Sequence, residues 1–241
     1  MRLETLERIK ITIKKIWLTT LKVTVFSHLV FFVLMGFIMM YLNYYNPPTT
    51  SLMLYREFVC GQDVKPVEYV PIADIPDNFV KMVISTEDYK FYEHPGIDIE
   101  AIKRAYVINM KVGYRMFGGS TITQQISRSL FLLPKKILIR KYFEVLIALQ
   151  MDAMLPKDRI IELYLNYAEW GNGIFGLSRA AEYHFKKTIK TMNIDQSARL
   201  IAILANPIDY SPYNFMGKKL LANRYFMIKF RYYTYMKFHE M

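Results

Sequence analysis

One cysteine, Cys60, stands among 241 residues. No disulfide can therefore form within the chain, and cysteine usage leaves the compartment open. Zinc-ligand spacing, RNA-binding aromatic signatures and basic zippers are all absent, which argues against nucleic acid as a partner. Internal repeats are missing too, and alternating strand-type patterns are few. Acidic residues are in deficit, 21 against 32 Lys and Arg, for a formal net charge of +11. That balance suits a membrane surface or an anionic substrate. With 53% hydrophobic residues, 19 Tyr and 16 Phe, the chain carries too much apolar surface to remain disordered over most of its length.

Charge is absent altogether from Val23 to Leu42, VTVFSHLVFFVLMGFIMMYL. Twenty helical residues cover about 30 Å, the thickness of a bilayer core. A cleavable signal peptide would have a shorter apolar region followed by a small-residue cleavage site. Here NYYNPPTT follows, with tyrosines suited to the membrane interface. Arg2, Arg8, Lys10, Lys14, Lys15 and Lys22 precede the span against Glu4 and Glu7. The positive-inside rule then puts the N-terminus in the cytoplasm and residues from about 45 onward outside. With six positive and two negative charges in residues 1–44, the outer part retains +7. His28, inside the span, reads as a neutral, helix-facing polar group. The expected division is a cytoplasmic basic tail (1–22), a transmembrane helix (23–44), a Pro-rich linker and entry segment (45–69) and one folded domain (70–241).

The outer part reads as mainly α. After the extended EYVPIADIP, Pro76 suits a helix's first turn. Helices are expected from about Asp98 to Met110, from the GGST loop through Leu132, from Ile137 to Met154, and over PKDRIIELYLN, LSRAAEYHF and DQSARLIAILANP, with Pro207 as the last stop. GNGIFG reads as a Gly-rich turn.

Three stretches carry chemistry. In the first, Val80, Val83, Ile84 and Glu87 share one helical face, so Glu87 extends an apolar stripe toward the interior or a cleft. Two roles fit it: a structural Glu paired with an Arg, or a general base. Asp88, Phe91, Glu93 and His94 follow closely, with His94 before Pro95–Gly96 suited to ending the helix and bonding the loop. The second stretch is GGSTITQQ, residues 118–125. Gly118 and Gly119 allow unusual backbone angles, Thr121 and Gln124 have capping-box spacing, and the fresh helix N-terminus attracts anions. An ordinary, well-capped loop fits the same eight residues. The third is Glu144, which shares a helix face with Ala148 and Asp152 and follows Arg140 by one turn. It reads as a surface pair of little value, or as a carboxylate held among Val145, Leu146, Ile147 and Leu149. MKVGYRMF, before Gly118, suits either a loop dipping toward lipid or a plain solvent loop. The aromatic C-terminal RYFMIKFRYYTYMKFHEM suits a core helix or one lying at the headgroup level.

EDYKFYEHPGID, GGSTITQQISRSLF, RKYFEVLIALQMD, KDRIIELYLN and GNGIFG stand in the order found in peptidoglycan glycosyltransferases. Over roughly Val70 to Tyr213 the chain resembles that family, and one anchor with one domain resembles its monofunctional biosynthetic members. The resemblance implies a lysozyme-like helical domain behind a single-pass inner-membrane anchor. Its substrates would be lipid II and the growing glycan chain, and its neighbours membrane lipids and other cell-wall synthesis proteins. It implies that Glu87 takes the proton of the acceptor's 4-hydroxyl while Glu144 assists at the donor site. Asp88, Phe91, His94, Gly119, Ser120, Gln124 and Gln125 would line the substrate site. Arg128, Arg140 and Lys141 would stand against the departing pyrophosphate, where a divalent cation (Mg or Mn) is left open. Two departures are visible: Arg128 where the family often has Lys, and Trp170 where a smaller residue is common. The rival readings are a glycan-cleaving enzyme of the same architecture and a non-catalytic scaffold.

Overall fold

In the computed structural model, residues 2–113, 118–135, 137–214 and 217–239 are described. The second half of the expected loop MKVGYRMF, residues 114–117, lies outside them, and its first residues end α4 with Gly113 as the cap. Ten α-helices and one small hairpin follow in order: α1 (Arg2–Tyr44), α2 (Ser51–Leu54), α3 (Asp77–Glu87), α4 (Ile99–Val112), α5 (Ile122–Phe131), α6 (Leu138–Met154), α7 (Lys157–Tyr167), β1 (Glu169–Gly171), β2 (Ile174–Phe175), α8 (Leu177–Phe185), α9 (Ile194–Ile203) and α10 (Lys219–His239).

Helix α1 begins at Arg2 rather than near Val23, because no Pro or Gly interrupts the chain before Gly36. At 43 residues it is about 64 Å long, twice what a bilayer core requires. Its second half lies on α6. Met35, Met39 and Leu42 are buried there, the Phe31 and Phe143 rings sit 5.3 Å apart, and Gln150 Nε2 donates to Phe32 O at 2.8 Å. His28 Nδ1 meets Thr24 O at 2.7 Å. A carbonyl only accepts, so in a neutral ring Nε2 takes the Tyr142 hydroxyl, also at 2.7 Å.

The expected linker is packed down. Arg159 donates to Leu42 O, Tyr45 O and Asn46 Oδ1, each at 2.8 Å, and the Tyr167 hydroxyl donates to Pro47 O at 2.6 Å. Thr50 caps α2, which runs into one π-helical turn, Tyr55–Val59. Asn166 holds both backbone groups of Val70, at 2.8 and 2.9 Å. Glu162 takes the Ile72 N–H at 2.6 Å, together with the Tyr69 hydroxyl and Arg159.

The core gathers Ile122 and Ile126 of α5, Ile160, Ile161 and Leu165 of α7, and Leu200–Ile203 of α9. Trp170 of β1 is fully buried, 6.2 Å from the Phe79 ring, and its carbonyl accepts from His184 Nε2 at 2.8 Å. The departure at this position is thus a core-filling residue. Helix α10 buries Leu221, Tyr225 and Ile228 against α9 and α3, which favours the core alternative for the C-terminal segment; Phe226 and Phe230 face outward.

Gly118 and Gly119, read as allowing unusual backbone angles, are not among the glycines with positive φ. The need at Gly119 is spatial: a Cβ there would meet Ile102 Cα of α4 at 2.7 Å and its N at 3.1 Å, whereas Gly118 has open space. Gly119→Ala therefore pushes backbone against backbone. It is expected to cost about 1–3 kcal/mol in denaturant unfolding, while Gly118→Ala stays within about 0.5 kcal/mol. For Glu162, burial alone would raise the carboxyl, but the Tyr69 hydroxyl, the Ile72 N–H and Arg159 outweigh burial and hold it below its ordinary 4.5. Its stabilisation is complete above pH 4.5 and is lost as pH falls toward the depressed folded value. Glu162→Gln is expected to lower stability at pH 7 by about 1–3 kcal/mol and to flatten the acid-side loss, measured by unfolding between pH 7 and 3.

Candidate active site

Glu87 closes α3. The stripe that buries Val80 and Val83 carries its side chain to 10% exposure. Oε1 accepts a short hydrogen bond from Arg224 Nη2 of α10, and Oε2 accepts from Gln125 Nε2 of α5 at 3.1 Å. The Tyr164 hydroxyl of α7 donates to Gln125 Oε1 at 3.2 Å. Burial first, and then the negative charge of Glu87, push that phenol well above its ordinary value, so it stays a donor.

Asp88 faces the other way. Its buried carboxylate accepts from His94 Nε2 at 2.9 and 3.0 Å and from the Ile122 N–H at 3.0 Å. Ile122 is the first residue of α5, so Asp88 is the anion at that helix N-terminus. The expected capping box is present, with Thr121 Oγ1 accepting from Gln124 N and Gln124 Oε1 from Thr121 N. The anion that this N-terminus was expected to attract is, at the Ile122 N–H, Asp88, and the Gln124 N–H is taken by the cap. Gln124 is fully buried in the cap. His94 bonds the loop as expected, its carbonyl accepting from Gly96 N at 3.0 Å, but it does not end the helix, because α3 already stops at Glu87. Gly96 has φ +80°, and a Cβ there would meet Ala148 O at 2.6 Å, so only glycine fits where the loop touches α6. Thr121 Oγ1 donates to Gly96 O at 2.6 Å. Phe91 is buried, with Lys157 Nζ 4.7 Å from its ring centre. Lys157 also binds His94 O at 2.7 Å and Asp152 Oδ1 at 2.5 Å.

Glu144 is not a surface residue: it has no exposure. Arg140 Nη1 and Lys141 Nζ each reach its carboxylate at 2.5 Å. Lys141 also donates to Ser120 Oγ at 3.1 Å, and Arg140 Nε to Lys135 O at 2.6 Å. The 118–125 stretch is thus a bridge. Ser120 touches the Glu144 cluster, Ile122 touches Asp88, and Gln125 touches Glu87.

Beyond Gln125 and Tyr164 opens a cleft of about 220 Å³, also lined by Arg128, Leu132, Arg56 and Glu169. Arg56 and Glu169 are locked to each other, Nε and Nη2 reaching the carboxylate at 2.8–3.1 Å. Arg128 lines the cleft with no hydrogen-bond or ion-pair partner among the described residues. No group of three or more His, Cys, Asp or Glu among the described residues is placed to hold a metal ion.

Arg224, Tyr164 and Lys157 were not singled out from the sequence. Each lies outside the motif it serves, Arg224 by 137 positions. The one local hint is that Arg224 and Arg231 share a face of an otherwise aromatic helix.

The chain matches the transglycosylase family over residues 56–229. Among proteins named biosynthetic peptidoglycan transglycosylase, that of Thiobacillus denitrificans is 39% identical over 77% of this chain and 81% of its own length. That of Paraburkholderia xenovorans is 38% identical over 76% and 80%, and that of Bdellovibrio bacteriovorus 37% over 79% and 78%. A match over most of the folded part, joined to these relatives, shows that the chain belongs to the transglycosylase family and is a glycosyltransferase of peptidoglycan biosynthesis.

Proposed function

We propose that the chain polymerises glycan strands from lipid II at the outer face of the inner membrane, with α1 crossing the bilayer once and its N-terminus in the cytoplasm. The carrying observation is the run of cations beside the carboxylates: Arg128 unpaired in the cleft, and Arg140 and Lys141 around Glu144. A pyrophosphate leaving group needs positive charge and no proton. Cleavage of a finished glycan would instead need a carboxylic acid aimed at a glycosidic oxygen. In the proposed reaction Glu87 accepts the proton of the acceptor's 4-hydroxyl as that oxygen attacks the anomeric carbon of the growing chain. The bond to the pyrophosphate oxygen breaks, its electron pair leaves with undecaprenyl pyrophosphate, and the anomeric centre inverts. Arg128 receives the diphosphate directly. Arg140 and Lys141 share their charge between it and Glu144, and Ser120 orients Lys141. Asp88, His94 and Phe91 hold the loop behind the base, Gly119 lets the bridge lie against α4, and Gln124 starts α5. Anionic headgroups attract the basic outer domain, and other cell-wall synthesis proteins are its expected neighbours.

Glu87→Gln keeps the size and the Gln125 contact while removing the base. Turnover of labelled lipid II is expected to fall by about 10²–10⁴-fold; a rate within tenfold of wild type refutes the assignment. The two arginines should separate. Arg128→Ala removes an unpaired cation, so donor use should fall about 10–100-fold with an unchanged melting temperature. Arg140→Ala leaves Glu144 buried with one partner fewer, so it should lose activity and also about 3–5 kcal/mol of stability. Parallel kinetics and thermal unfolding of the two variants check this.

A further inference from the structure

Helix α10 is joined to the end of α3 by two arginines seven positions apart. Arg224 reaches the Glu87 carboxylate, and Arg231 Nη1 reaches Ser85 O. Two cations thus meet the C-terminal end of α3, where helix carbonyls leave partial negative charge. The two contacts differ in kind. Arg231 binds a backbone carbonyl on an exposed rim. Arg224 is largely buried and binds the side chain of Glu87, whose other oxygen meets Gln125 of the cleft lining; its Nε is buried without a partner among the described residues. Its engagement is with Glu87.

That contact completes a frame around the carboxylate. One oxygen is held by Arg224 and the other by Gln125, whose amide is in turn set by Tyr164. Two donors on two different oxygens fix the plane of the carboxylate and its rotation about the last side-chain bond. An ionised carboxylate has about four acceptor positions, so two stay open for a substrate hydroxyl. The charge-assisted bond from Arg224 is the stronger of the two restraints. The other charged groups around Glu87 are committed or directed elsewhere: Asp88 to His94, Asp195 of α9 to Arg199 and Tyr225, and Arg128 into the cleft.

We propose that Arg224 is a positioning residue for the glycosyl transfer, orienting Glu87 toward the acceptor hydroxyl, so that the C-terminal helix is a working part of the active site. This rests on the reading of Glu87 as the base. Arg224 touches no substrate, so its removal should act on kcat and leave KM for lipid II alone.

The test compares full-length wild type, Arg224→Gln, Arg224→Lys, Arg231→Gln and Glu87→Gln, each by kcat and KM on labelled lipid II and by thermal unfolding. For Arg224→Gln, kcat is expected to fall about 10²-fold, the scale of a base misplaced by an ångström, with KM within about twofold. Arg224→Lys should recover about tenfold of that loss. Arg231→Gln, which loosens the same helix without touching Glu87, should lower the melting temperature and keep kcat within about twofold. If Arg224→Gln matches Arg231→Gln in both melting temperature and kcat while Glu87→Gln is inactive, Arg224 only docks the helix and the proposal is overturned while the base assignment stands. If Glu87→Gln stays within tenfold of wild type, the base assignment fails and the proposal falls with it.

Discussion

Asp88 is a carboxylate buried in the protein, and most of the site's shape follows from the need to satisfy it. A buried charge without partners is among the costliest features a fold can carry. Here the partners come from two separate stretches, His94 six residues on and the Ile122 N–H at the start of α5. Satisfying Asp88 therefore fastens the loop after α3 onto the N-terminus of α5. It also leaves Glu87, its neighbour in sequence, pointing the other way, toward Gln125 and Arg224. One residue of the pair closes the scaffold and the other ties the end of α3 to α5 and α10.

The same economy holds around α6. Glu144 has no exposure, and its two cations come from its own helix one turn before it. Lys141 can then reach Ser120, so the cation cluster and the 118–125 bridge move as one unit. The opposite side of α6 carries the anchor, through Tyr142, Phe143 and Gln150. The membrane helix is therefore packed on the element that presents Arg140 and Lys141, more than a tether at the end of a linker. Polar contacts such as His28–Tyr142 are modest individually, on the order of 1 kcal/mol, but here they act beside close aromatic packing.

Carboxylates and cations are interleaved through the site. Each carboxylate has a cation or N–H partner, and one arginine, Arg128, has none among the described residues.

Local rules accounted for much of this protein. Helix positions, the Thr121–Gln124 capping box, the apolar face that buries Glu87 and the charge-free span at 23–42 all follow from periodicity, cap chemistry and hydropathy, which act within a few residues. Resemblance of the ordered motifs indicated the family. Tertiary structure alone decided the rest. The charge-free span became part of a 43-residue helix because nothing interrupts it. The segment at 45–69 was packed down by Arg159, Tyr167 and Glu162, residues about 90 to 120 positions away. Gly119 was required by the nearness of Ile102 rather than by its own backbone angles, and the first N–H of α5 met Asp88, 34 positions away. Arg224 reached Glu87 across 137 positions. Such pairings depend on how helices pack, and spacing along the chain does not encode them.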